Sequence, residues 1–328
     1  MKKILLLFLL CFSHFLRSQT DLDGLFMAKN NFCGGFISAH SSWDHYWEGN
    51  LYRNNENIGT VSSNSVIAMG NYGITDKLNV LFMLPWVKNE ASAGTLIGQQ
   101  GLQDLSLMVK NEFWIKDVNG WAVSAVGVMG GSMPVQDYTA DYLPLAIGLK
   151  SKTASLRLMM DAQRGHWFAT ASATGTLRGN VTLDRTAYYT TEMIYSNQVV
   201  MPSVFGYNVR LGWRDGADKI VEFVFDGMNT LGGFDIRRND MPFVSNNMDA
   251  IRVGMNAKYP IPKTNGMSLM AAANTVVSGR NMGQTTGYSL GLVYQFLVKK
   301  SPKHEVANVE SSEEIGASDE LTKGGTLK

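Results

Sequence analysis

Tyr288-Ser-Leu290-Gly-Leu292-Val-Tyr294-Gln-Phe296 places a large apolar or aromatic residue at every second position and a smaller or polar one between. In an extended strand alternate side chains face opposite sides, so this segment has one apolar face and one mixed face. A strand crossing a membrane in a closed barrel needs that pattern, with one face against lipid and the other against the lumen. A soluble sandwich strand has it too, so the decision rests on recurrence. In 206–214, Tyr207, Val209, Leu211 and Trp213 interleave with Asn208, Arg210, Gly212 and Arg214. In 219–226, Val221, Phe223 and Phe225 alternate with Glu222, Val224 and Asp226, and in 249–259, Ile251, Val253, Met255 and Tyr259 alternate with Arg252, Gly254, Asn256 and Lys258. Charges opposite an aromatic stripe are costly in a dry core and suit a wet lumen.

Working outward, the pattern predicts strands near 32–44, 60–73, 78–87, 102–114, 121–132, 154–162, 167–178, 206–214, 219–226, 249–259, 266–276 and 286–298, with Leu143-Pro-Leu-Ala-Ile147 as a possible extra one. Pro85 and Pro134 fall near strand ends, where a missing N–H donor is tolerable. The links alternate. Ile74–Lys77, Lys116–Gly120, Gln163–Gly165, Arg214–Asp218 and Pro260–Gly266 are short and rich in turn residues, whereas about 45–59, 88–101, 133–153, 179–205, 227–248 and 277–285 are longer and polar. That asymmetry belongs to outer-membrane barrels, with the short turns periplasmic, and an even strand count keeps both ends of the chain on that side. The fold expected is all-β: a transmembrane antiparallel β-barrel of about 12 strands in the outer membrane of a Gram-negative bacterium.

Met1-Lys-Lys3 and the apolar run Ile4–Phe12 form the n- and h-regions of a signal peptide, residues 1–18, with cleavage after Ser18. Cys11 does not fit a lipoprotein cysteine, because Leu9 and Leu10 stand where a small residue is expected. The barrel is then 19–298, and 299–328, charged and almost without large apolar residues, is expected to be a disordered periplasmic tail. Phe296 would be the terminal aromatic met by the barrel-assembly machinery, and outer-membrane lipid the other surrounding partner. Removal of Lys2, Lys3 and Arg17 lowers 29 basic residues to 26 against 28 acidic ones, a net charge of −2, which argues against nucleic acid. Cys33 is the one cysteine left after processing, so neither an intramolecular disulfide nor a cysteine-based metal cluster is expected.

Gly73-Ile-Thr-Asp-Lys-Leu-Asn-Val-Leu-Phe-Met-Leu-Pro-Trp86, followed by Gly101-Leu-Gln-Asp-Leu-Ser-Leu-Met-Val-Lys110, is similar to the family of outer-membrane transporters assigned to the MetA pathway of phenol degradation. That family is related in outline to fatty-acid and toluene channels of the FadL type. The resemblance implies uptake of small apolar or aromatic compounds. The chain departs from the FadL pattern in two respects: it has fewer strands, and only Gln19 to about Asn31 precedes the first one, too little for a folded N-terminal hatch.

Strand phase turns Asp104, Lys110, Glu112, Arg157, Asp161, Arg210, Arg214, Glu222, Asp226, Arg252 and Lys258 inward, with both signs nearly balanced, while Leu81, Met83 and Val87 add an apolar inner patch. These charges read either as a selectivity lining, with Asp104, Lys110, Glu112, Arg157, Arg210, Glu222 and Arg252 along the solute path, or as ion pairs filling a narrow barrel. The aromatic clusters Trp43–Trp47 and Tyr188-Tyr189 with Tyr195 read as interfacial anchors or a ligand-capturing mouth. No enzyme is expected. His40, His45, His166 and His304 have no triad around them, because neighbours such as Asp44 and His45 face opposite sides of a strand, and no metal motif, phosphate loop or cofactor motif is present. The function expected is passive uptake or binding of small apolar or aromatic solutes; the alternative is a non-conducting structural or accessory barrel that binds another envelope protein.

Overall fold

The computed structural model describes residues 20–237 and 240–298; the expected signal peptide and tail lie outside them. Twelve long strands follow one another: β1 (Asn31–Trp43), β2 (Val61–Thr75), β3 (Leu78–Ala91), β4 (Asp104–Val118), β5 (Trp121–Pro134), β6 (Thr153–Arg164), β7 (Trp167–Arg178), β8 (Ser203–Asp215), β9 (Lys219–Leu231), β10 (Asp249–Pro260), β11 (Met267–Arg280) and β12 (Thr286–Leu297). Each pairs antiparallel with its neighbours in sequence, and β12 closes on β1 with Asn31 opposite Leu297 and Ser42 opposite Thr286. Closure leaves no edge for lipid to desolvate. No helix occurs among the described residues.

The outward faces carry the apolar stripes. Leu107, Leu156, Leu158, Met160, Leu211, Phe223, Met255, Leu290 and Leu292 are all exposed, a surface that only a hydrocarbon solvent makes stable. Trp121, Trp167, Trp213, Tyr259 and Tyr294 stand outward near the short turns, the place of an aromatic girdle. Tight turns fit their residues: between β4 and β5, Asn119 and Gly120 both take positive φ (53° and 79°), the geometry of a two-residue hairpin that an Asn-Gly pair favours.

Three features differ from the sequence reading. The strands run to 12–15 residues, longer than the roughly ten that cross the hydrocarbon band. Their long-loop ends project past the band, where both faces are wetted and the alternation that marks a strand disappears, as at Lys88-Asn-Glu90. Pro85 is mid-strand. It has no N–H to give a ladder, and there β3 changes partner: up to Met83 it pairs with β4, and from Trp86 with the short piece Gln100–Leu102, the step being bridged by Gln103 N donating to Pro85 O at 2.9 Å. Leu143–Ile147 is not a strand but a turn inside the β5–β6 loop, where Leu145 is fully buried beside Ile58 and Val61.

The long loops are themselves folded. Ala140, Val181, Leu183, Tyr188, Val199, Met201 and Val244, from three loops, form a small core at the outer end. Tyr188 belongs to it, stacked on Phe243 at 5.4 Å, and Trp43 packs beside the Ile58–Leu145 cluster, so these aromatics hold the loops together and are not interfacial anchors. Tyr195 remains 85% exposed.

Candidate functional site: the barrel lumen

The inner wall is segregated. Strands β11, β12, β1, β2 and β3 present Met270, Ala272, Ser289, Gly291, Ile37, Met69, Leu81 and Met83 to the lumen, whereas β4, β6, β8, β9 and β10 present charges. Every charged residue singled out above lies on this second wall, and the structure shows what each one touches.

Arg210 Nη1 donates to Glu222 Oε1 at 2.7 Å across β8 and β9, with Asn256 donating to the same oxygen. Arg214 holds Asp161 bidentately, Nη2 to Oδ2 at 2.6 Å and Nη1 to Oδ1 at 3.2 Å, and its guanidinium covers the Phe168 ring at 4.5 Å. Arg252 pairs with Asp226 at 3.2 Å, and Lys258 with Asp218 at 3.0 Å. Glu112 lies 3.9 Å from Lys77 at the short turn between β2 and β3. Asp104 accepts from Tyr138 Oη at 2.7 Å and thus anchors the β5–β6 loop. Burial and that carboxylate both push the Tyr138 hydroxyl well above its ordinary pKa, so it remains a donor.

Lys110 and Arg157 are different, because their partners come from the chain before β1. Residues 20–27 lie inside the barrel, and 28–30 lead out to β1 past the β2–β3 turn, where Lys29 N donates to Asp76. Lys110, 0% exposed, donates to Asp23 Oδ1 (2.9 Å), Thr20 O (2.8 Å) and Leu25 O (2.8 Å) and sits 4.9 Å from the Phe26 ring centroid. Arg157 Nη1 donates to Asp21 Oδ2 (2.6 Å) and Asp21 O (2.8 Å). Phe26 packs on Val126, Val128 and Met159, and Met27 on Cys33 and Val293. Gly24 crosses so close to Asp161 that a Cβ there would lie 2.3 Å from its carboxyl carbon. The segment is too short for a folded hatch, yet it fills the half of the lumen on the side of the short turns. The sequence reading missed it because 20–30 has no periodicity, and the near balance of the inward charges gave no signal of partners outside the wall.

From the outer end the β5–β6 loop bends inward. Asn89 Nδ2, on the inner face of β3, donates to Ala146 O at 2.8 Å, and Ile147 packs against Val87. Beside the segment lies a cavity of about 220 Å³, with Met69, Met83, Met108 and Met270 on one side, Arg210, Glu222 and Lys258 on the other, and Thr20 to Asp23 bordering it. Such a space fits a molecule with an apolar body and a polar tip.

The histidines add little. His40 faces outward and bonds Asn64 (2.8 Å). Asp44 and His45 do meet, at 2.7 Å, because Asp44 sits at a bend between β1 and the hairpin 45–54, where strand alternation does not apply; the imidazole stacks on Tyr52 at 5.2 Å. No group of three or more His, Cys, Asp or Glu able to hold a metal occurs among the described residues.

No family model matches the chain, and no curated protein does. Among solved structures it is similar to the COG4313 outer membrane channel from Pseudomonas putida F1, at 15% identity and a TM-score of 0.66, over 85% of this chain and 99% of that one. It is also similar to the translocator domain of the autotransporter NalP from Neisseria meningitidis (10% identity, TM-score 0.43, 84% and 91% covered) and to the KdgM porin (7%, 0.35, 80% and 99%). The first of these likenesses bears on the fold, which is that of the twelve-stranded outer-membrane β-barrels.

Proposed function

We propose that the chain is an outer-membrane channel that binds and passes small solutes with an apolar or aromatic body. The observation that carries this reading is the two-faced cavity, in which methionines from four strands face a paired charged wall. Methionine is flexible and polarizable, so such a wall adapts to several apolar shapes. No energy source is needed: a cavity of intermediate affinity between two mouths lets a solute enter and leave down its gradient. The tail after Phe296 is assigned to the periplasm, on the side of the short turns and of residues 20–30, and Phe296 to recognition by the assembly machinery. The COG4313 protein's description as a channel agrees with this reading.

A second reading has a specific observation in its favour. The segment at one end and the β5–β6 loop at the other narrow the lumen, as in an accessory barrel that conducts nothing and binds another envelope protein. Solute flux separates the two. Liposomes carrying the folded mature protein should admit a phenol-like solute, corrected for its protein-free leak, faster than a sugar of similar size. Entry of neither assigns the chain to the accessory role.

A further inference from the structure

Resting on the channel reading, we infer that the solute carries a carboxylate, and that Asp21 and Asp23 occupy the positions this carboxylate takes when the lumen is in use. Of the six inward cations, Arg210, Arg214, Arg252 and Lys258 have carboxylates on the barrel wall or its turns, and Lys110 and Arg157 have theirs on the segment. A buried ammonium or guanidinium needs an anionic partner. Withdrawal of the segment toward the periplasm therefore leaves two cations facing the lumen, flanking Val128 in one register row of β4, β5 and β6. Two ordered cations of this kind form a carboxylate site.

The cavity lies against that site. Met108 and Lys110 are on the same strand and the same face, one pleat repeat or roughly 6.6 Å apart. An arylcarboxylate or a short fatty acid thus spans from the methionine wall to the ammonium with its two ends matched. Such a solute competes with Asp23 and Asp21 for the same donors, so its binding and the displacement of the segment are one exchange, carboxylate for carboxylate. A neutral analogue has no means of making that exchange.

The test is titration calorimetry of the mature full-length protein in detergent with benzoate and with benzyl alcohol, each corrected for heat in protein-free detergent. Benzoate is expected to bind about tenfold more tightly than benzyl alcohol. Asp21→Asn with Asp23→Asn removes the internal competitor and is expected to tighten benzoate roughly tenfold while moving benzyl alcohol less than about twofold. Lys110→Met and Arg157→Gln are expected to abolish the preference for benzoate. Equal affinities that the double asparagine variant leaves unchanged would overturn the carboxylate inference and leave the channel reading standing, whereas binding of neither probe overturns both. Should Lys110→Met fail to fold, as judged by heat-modifiable migration in gels, the double asparagine variant decides alone.

Discussion

Two kinds of ion pair share this lumen. Arg214–Asp161 and Arg210–Glu222 join neighbouring parts of the wall, their side chains all less than 10% exposed. Lys110–Asp23 and Arg157–Asp21 join the wall to eleven residues that belong to no strand. The first kind is fixed by the hydrogen-bonded ladder, because both partners stand on strands of the wall. The second is the kind the proposed exchange uses, in which the segment leaves and water or a solute takes its place. Similar distances therefore serve different ends, rigidity in one case and access in the other.

The sharpest way to break that contrast is to remove a carboxylate of the fixed kind. Asp161→Ala strands Arg214 between Phe168 and Gln163 and is expected to cost about 3–5 kcal/mol of barrel stability in denaturant unfolding. A loss below about 1 kcal/mol would place the pair among exposed bridges. Next in size is the apolar wall. Met83→Ser is expected to weaken binding of an apolar solute by about 1.5 kcal/mol, roughly tenfold, with a sugar unaffected; an equal effect on both would mean that the methionines do not contact the solute. For the exchangeable pairs, Asp21→Asn with Asp23→Asn is expected to cost less than Asp161→Ala in the same unfolding assay, because the released segment lets water reach Lys110 and Arg157.

The smallest effect lies in the outer loops. Arg280 grips the Asp235 carboxylate with two hydrogen bonds of 2.8 Å and Asn281 adds a third at 2.7 Å, holding its pKa down to about 2 from an ordinary 3.8. A carboxyl depressed in the folded state stabilises the loop above pH 3.8, and that contribution disappears as pH falls toward 2. Loop amides near Asp235 should exchange faster with solvent over that window in wild type, and Asp235→Asn should show the faster rate already at neutral pH.

The barrel was legible because lipid and lumen impose a period of two on every crossing strand, and the eleven inward charges, Asp104 to Lys258, follow from phase alone. Their partners did not follow, since pairing depends on register and on residues outside strands. Above the lipid band the period fades, so the outer strand ends and the buried turn at Leu143–Ile147 were misjudged. Pro85 was placed at a strand end because its missing donor was weighed without the partner change that accommodates it. Asp21 and Asp23 carried no pattern, and the near balance of the inward charges gave no reason to look for partners outside the wall.

The central claim is that a passage exists and that residues 20–30 close it by exchangeable ion pairs. Ion conductance of single molecules in a planar bilayer tests it most directly, comparing the mature wild type with the Asp21→Asn, Asp23→Asn variant. The account predicts a nearly closed wild type with brief openings and a variant that is open most of the time. Equal, near-zero conductance in both, with each shown folded, would contradict it.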